Sequence, residues 1–188
     1  MRVNGVADNG LLTVGECYAN CPKYLQKRIG SVDADGVFAP VPVPSPTGDS
    51  LTATQIAAIR AADTLFIATR NGDVSADASH RGGNPGFVRV SDTDTLSWLD
   101  YPGNAMFNTL GNLETDDRAG LFFPDFATGD ALLVSGTAET VWRTSDEQSV
   151  VFTVRAAAAL RDAFAPFATG VVEYSPFNPV ESHASSNG

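Results

Sequence analysis

Lysine is nearly missing from this chain. Lys23 and Lys27 are the only two in 188 residues, and the formal net charge is −10. A nucleic-acid binder normally presents a basic face, so that class is set aside, and the acidity reads as a solvated surface that aids solubility. No apolar run is long enough to span a membrane. The N-terminus, MRVNGVADNG, lacks the apolar core of a secretory signal, which points to the cytoplasm. Cysteine and histidine number two each. Zinc wants four ligands, and His183 lies in a polar tail, so Cys17-x3-Cys21 reads as two reduced thiols and no metal site is expected. Hydrolytic machinery is absent as well. Ser79 and His80 are adjacent, a poor geometry for a nucleophile and its base, and no nucleophile elbow or phosphate loop ending in Gly-Lys occurs. Asp116-Asp117 reads as a solvated turn. Catalysis, if this chain performs it, falls to a cofactor.

What is present is a run of short apolar strands. Residues 2–7 read as a strand entering a turn, and residues 11–18 as a second strand. CPKYLQKR at 21–28 reads as a short helix with Pro22 in its first turn. Residues 38–50, FAPVPVPSPTGDS, hold four prolines and form an extended linker, where a boundary is placed. A helix follows over 51–63 with Thr52 or Thr54 as its cap. Strands are expected at 64–70, at 86–90 and 95–99 as a hairpin about SDTD, at 119–123, and at 131–142 with a bend at Gly136. SVVFTVRAAAAL at 149–160 starts as a strand and turns helical through its alanines. About six strands after the linker, in hairpin order with two short helices, imply a closed or nearly closed antiparallel barrel. A doubly wound sheet is excluded, since no G-x-G-x-x-G follows a strand. One internal echo stands out: VNGVA at 3–7 matches VSGTA at 134–138, as though the chain opened on the last strands of a second copy.

Two stretches carry chemistry. In SHRGGNPGFVRV, residues 79–90, three glycines and a proline make a turn, but a turn does not need His80, Arg81 and Arg89. Those cations suit an anionic ligand. In PGNAMFNTLGNLE, residues 102–114, Met106, Leu110 and Leu113 form a core-facing helical stripe. Asn104, Asn108 and Asn112 fall at i, i+4 and i+8 on another face. Asparagine is a mediocre helix former, so three on one face cost stability that a ligand would offset. Amides both donate and accept, Thr109 adds a hydroxyl, and a helix start near Asn104 favours an anion.

The set ADTLFIAT, DASHRGGNPGFVRV, LDYPGNAMFNTLGNL, RAGLFFPDFATGDALLVSGTAETVW and VVEYSPFNP, in this order over residues 51–179, resembles the pyridoxamine 5′-phosphate oxidase-like superfamily of FMN-binding split barrels. RVNG with VGECYANCPKYLQKR resembles the end of a preceding, degenerate barrel in longer relatives. The resemblance implies an α+β, mainly antiparallel split barrel at 49–180, preceded by an N-terminal segment and linker at 1–48 and followed by a polar tail at 181–188. It implies a homodimer with FMN between subunits, the flavin ring along Phe87, Val88 and Arg89. Ser79, His80 and Arg81 would sit near its polar end or the substrate mouth, and Asn104, Asn108 and Thr109 near the phosphate and ribityl chain. The chain departs from the oxidase proper, which carries an Arg-Lys pair at about Asn108-Thr109, so true pyridoxamine phosphate oxidation is not expected. Arg81 or Arg89 would supply the missing charge, because a planar guanidinium suits a phosphate. The expected function is an FMN-dependent oxidoreductase taking a small substrate or a nicotinamide donor, with His80 as general acid because imidazole titrates near neutrality. Alternatives are a non-enzymatic flavin or haem binder, and a deazaflavin (F420)-dependent reductase on the same barrel.

Overall fold

Burial alternates with a period of two along the strands after the Pro-rich segment, the mark of a sheet with one face in a core. The computed structural model describes residues 2–31, 45–46, 48–73, 75–103, 107–142, 147–164 and 168–179. Eleven strands and two helices lie among them: β1 (Arg2–Asp8), β2 (Leu11–Tyr18), β3 (Lys27–Ser31), α1 (Ala53–Ala61), β4 (Thr64–Asn71), β5 (Ser75–Gly82), β6 (Arg89–Asp92), β7 (Thr95–Leu99), α2 (Asn108–Leu113), β8 (Arg118–Pro124), β9 (Ala131–Trp142), β10 (Gln148–Leu160) and β11 (Ala168–Glu173). Seven strands form one antiparallel sheet in the order β5-β4-β8-β9-β10-β7-β6. The sheet is not closed, with β5 and β6 as its outer strands, which agrees with the expected split barrel. No helix among the described residues is long and apolar enough to cross a membrane.

The inward residues form one core. Leu65 and Ile67 of β4, Leu121 and Phe123 of β8, Val134 and Ala138 of β9, Val150, Phe152 and Val154 of β10, and Leu96 and Trp98 of β7 share it with Ile59 of α1 and Leu110 and Leu113 of α2. Helix α1 starts at Thr52, whose side chain accepts from the Gln55 backbone N–H while the Gln55 side chain accepts from the Thr52 N–H, a complete capping box. The helix thereby sets the start of β4, the strand that flanks the site.

Three expectations fail here. Residues 21–28 do not form a helix: Leu25 N–H closes a turn on the Pro22 carbonyl, and Lys27 begins β3, which pairs with β11. The alanines of β10 stay extended through Leu160, because Ala156–Leu160 pair residue by residue with Ser135–Ala131 of β9. Sheet pairing and the burial of Ala157 and Ala158 override alanine's helix preference. Eight strands, against about six expected, follow the linker, since β5 and β11 were not anticipated.

The echo between 3–7 and 134–138 reaches beyond sequence. In β1–β2, Gly5 faces Val14 and Asn4 faces Glu16, leaving Gly15 as an extra residue. In β9–β10, Gly136 faces Val154 and Ser135 faces Ala156, leaving Arg155 as the extra residue. Both are β-bulges at the same place, and Thr13-Val14 matches Thr153-Val154 on the facing strand. Glycine is required in both. A Cβ on Gly5 would sit on the Thr13 carbonyl oxygen, and one on Gly136 on the Thr153 carbonyl oxygen. The bend expected at Gly136 is this bulge.

Candidate functional site

A cleft of about 460 Å³ opens between β5, the start of the 99–103 segment and the N-terminal segment. That size is within the range of small-molecule sites. Its walls include Ser79, His80, Arg81, Gly82 and Phe87 from the stretch read as chemical. They also include residues that the sequence did not single out: Arg2, Tyr18, Cys21, Tyr24, Asp100, Tyr101 and Gln148. Ser79–Gly82 are not turn residues. They complete β5, paired with β4 through Ile67↔Ser79, Phe66↔His80 and Leu65↔Arg81. Pairing fixes the alternation that sends Ser79 to the buried side.

The glycines serve the fold. A Cβ on Gly82 would strike the Tyr24 carbonyl, and one on Gly83 the Phe87 ring, while Gly86 holds φ +94°. Gly82 lets the N-terminal segment lie against β5, a protein partner where a ligand had been expected. A buried amide network locks that contact. Gln26 Nε2 donates to the Gly83 carbonyl, and Asn178 Nδ2 donates to Gln26 Oε1 and to Asn84 Oδ1. Each leaves fewer orphaned groups beneath the turn.

The expected cations divide. Arg81 lines the cleft, but its Nε lies 3.1 Å from Asp100 Oδ1 and Nη1 donates to the His80 carbonyl. Arg89 is exposed on β6 opposite Ser97, outside the cleft. Phe87 touches the cleft, whereas Val88 is buried in the core. Burial above all, then the Arg81 charge, lowers the His80 pKa to about 4. The imidazole is therefore neutral at pH 7, packed edge-on against Phe66 at 5.6 Å. This corrects the expectation that it titrates near neutrality, and removes it as a ready general acid in the free protein.

The asparagine stripe is shorter than expected. Helix α2 begins at Asn108, so Asn108 stands in its first turn and not at mid-helix. Asn104 and Met106 lie outside the described residues. Asn108 Nδ2 donates to Tyr18 Oη at 3.1 Å, and Thr109 Oγ1 donates to Ser79 Oγ at 3.0 Å. Asn112 turns away, donating to Thr69 Oγ1 and fastening α2 to β4. Ser79, Asn108 and Thr109 are thus brought together behind one wall, joined through Tyr18 of the N-terminal hairpin. Ser79 Oγ also donates to Asp77 Oδ2, and Asp77 pairs with Arg2.

Tyr24 donates its hydroxyl to the Pro102 carbonyl at 3.0 Å, with its ring 5.1 Å from that of Tyr101. Burial, with Cys21 and Asp100 adding, raises its phenol above the ordinary value, which keeps it protonated. Buried atoms of two kinds on residues of the cleft wall lack a hydrogen-bond partner: the donors Arg2 Nε and Arg81 Nε, and the acceptor Gln148 Oε1. Such atoms are costly unless something meets them. A flavin mononucleotide offers what both need: acceptor oxygens for the guanidinium and a ring N–H for the amide oxygen. Among the described residues no group of three or more His, Cys, Asp or Glu could hold a metal ion. A second cleft of about 430 Å³ lies between α1 and the ends of β8–β10. Four of its charges pair within the protein, Arg28 with Asp63 and Arg161 with Asp130, Asp125 accepts from backbone N–H groups, and none of the orphaned side-chain atoms belongs to it.

No family model and no curated protein matches the chain. Solved structures do. HupZ of Group A Streptococcus is 16% identical, with a TM-score of 0.49 over 63% of this chain and 98% of that one. A protein related to general stress protein 26, of the pyridoxinephosphate oxidase family, from Clostridium acetobutylicum is 11% identical, with a TM-score of 0.43 over 63% of this chain and 89% of that one. A FAD-binding protein of Mesorhizobium loti is 10% identical, with a TM-score of 0.45 over 59% and 95%. At such identities the chemistry has to be argued from this chain's own residues.

Proposed function

We propose that the cleft holds FMN and that the chain is an FMN-dependent oxidoreductase of the pyridoxamine 5′-phosphate oxidase-like type, working on a small molecule or a nicotinamide donor as a homodimer. The observation that carries this reading is the set of unmatched buried atoms, Arg2 Nε, Arg81 Nε and Gln148 Oε1, on the wall that also gathers Ser79, His80 and Phe87. A bound flavin supplies two-electron transfer. The chain supplies shape and orientation. Tyr24, Tyr101 and Phe87 give aromatic walls that exclude water, and neutral His80 adds no charge to a wall that already holds Arg2, Arg81 and Asp100. Asn108 and Thr109 stand where the oxidase proper has cations, which supports a different substrate.

An absorption spectrum of the purified protein, with mass spectrometry of what heat releases, tests the reading. A yellow protein that releases FMN supports it. A Soret band would move the function to haem, with His80 the axial candidate, and a deazaflavin mass would move it to an F420 reductase. A colourless protein that takes up none of these would refute it. Sedimentation equilibrium of the loaded protein tests the homodimer.

A further inference from the structure

We infer that Arg2, carried by the N-terminal hairpin, is the anion-recognising group of the cleft, and that with Tyr18 it forms a subsite for a phosphate monoester. The inference rests on the flavin reading for its natural ligand, but its geometry stands apart from it. The Arg2 side chain is 13% exposed and reaches from β1 to the far wall, where Nη2 pairs with Asp77 Oδ1. Its Cζ lies 5.7 Å over the Tyr18 ring. These contacts hold the guanidinium plane and leave Nε buried on the cleft wall without an acceptor. A guanidinium has donors in a rigid fork, so one edge can hold a carboxylate while another meets an oxyanion.

The hydroxyl beside it is in the same condition. Tyr18 Oη accepts from Asn108 Nδ2 at 3.1 Å and from Asn4 Nδ2 at 3.3 Å. Its oxygen is then satisfied and its proton remains to give. Ser79 Oγ accepts from Thr109 Oγ1 at 3.0 Å and is placed by Asp77, next to Arg2. Ser79 gives its one proton to Asp77 and so holds that carboxylate in place, and the donors left for an anion are Arg2 Nε of β1 and the Tyr18 hydroxyl of β2. The other guanidinium of the wall, Arg81, also has an unpartnered Nε, but the Asp100 carboxylate lies 3.1 Å from that same atom, whereas Asp77 meets Arg2 at Nη2 and leaves its Nε edge clear; with His80 neutral, Arg2 is the charge best placed for an oxyanion. This is the cation that the missing Arg-Lys pair calls for. It comes from the opposite end of the chain, and the hairpin is thereby part of the binding site. Asp77 works against an incoming anion and limits the affinity that Arg2 confers.

The test is a parallel titration of FMN and riboflavin by flavin fluorescence, on the full chain and on Arg2→Ala and Arg2→Lys. Alongside it, the Arg2 Nε–H resonance is followed by NMR during addition of inorganic phosphate and of FMN. The two flavins differ only in the phosphate. The expected result is that Arg2→Ala weakens FMN by about 10-fold or more, the loss of one charge-assisted hydrogen bond, while riboflavin stays within about 2-fold. Arg2→Lys keeps a charge for Asp77 but has no fork, so it should lose part of the preference even if Arg2→Ala fails to fold. Phosphate should move the Nε–H resonance. If the two flavins weaken together in both variants, Arg2 only holds the hairpin and the inference is overturned. An Arg2 resonance that neither phosphate nor FMN moves overturns it as well. If no flavin binds but phosphate moves the resonance, the flavin reading falls and the anion subsite stands.

Discussion

The hairpins β1–β2 and β9–β10 share a plan and meet opposite fates. Side chains of Val3, Gly5, Ala7, Leu12, Val14 and Cys17 lie on one face of β1–β2, as alternation and the register require. Their counterparts in β9–β10 are Val134, Gly136, Ala138, Phe152, Val154 and Ala157. Val134, Phe152 and Val154 are 2%, 0% and 1% exposed, whereas Val3, Leu12 and Val14 are 42%, 49% and 55% exposed. The same pattern therefore makes a core when strands flank it on both sides, and an open apolar face when they do not. In β9–β10 the outer edges pair with β8 and β7. Among the described residues β1 and β2 pair only with each other. The other face explains why the hairpin still matters: Arg2, Asn4 and Tyr18 lie there, and they build the cleft wall.

The largest expected contrast is in stability. Phe152→Ala should cost about 3–5 kcal/mol, the range for a large buried aromatic, while Leu12→Ala should stay within about 0.5 kcal/mol. Urea unfolding of the two variants measures both, and equal costs would mean that the hairpin is covered in solution. Acid should act on the sheet and spare the hairpin. His80 has a native pKa of about 4 against 6.5 for the ordinary side chain, so the unfolded chain binds the extra proton first. Stability from this group is full above about pH 6.5 and is lost as pH falls towards 4, on the order of 3 kcal/mol. A His80→Gln variant should flatten that slope in unfolding curves taken between those pH values.

The two bulge glycines give the next test. Gly136→Ala forces a methyl onto the Thr153 carbonyl and the Phe152 ring, and should destabilise the sheet by about 1–3 kcal/mol. Gly5→Ala meets the same kind of carbonyl in a hairpin with little packing to lose. Global unfolding should hardly change, while hydrogen exchange of residues 2–18 accelerates. The smallest effect is expected from Tyr18→Phe. It removes the acceptor for Asn108 and Asn4 and should lower FMN affinity by a few-fold, read by the same fluorescence titration, with the unfolding midpoint unchanged.

Most strands were legible because each needs only a local signal: alternation in TLFIATR, apolar density in AGLFF and LLVSGTA, a turn between FVRV and TLSWL. The cap of α1 was narrowed to Thr52 or Thr54 for the same reason, and the structure places it at Thr52. The misreadings came where a distant strand decided the outcome. The alanines of β10 and the 21–28 segment both favour a helix on their own, and each is held extended by a partner far away in sequence. The candidate site was half legible. Ser79, His80, Arg81 and Phe87 line one cleft and Asn108 and Thr109 bond to Tyr18 and Ser79 of its wall, while Arg89 and Val88 are carried away from it by strand register and core burial.

The sequence by itself determined an acidic chain of short alternating strands with one five-residue echo, since composition, period and repeat are local facts, while the bulge behind that echo needed the facing strand. Only the tertiary structure decided which cations are spoken for. Asp100 lies 19 residues beyond Arg81, Asp77 lies 75 residues beyond Arg2, and charge matching depends on distance in space. Arg2 and Arg81 both keep an unmatched Nε, but at Arg2, far from the stretch that looked built for an anion, the paired carboxylate sits on a different nitrogen.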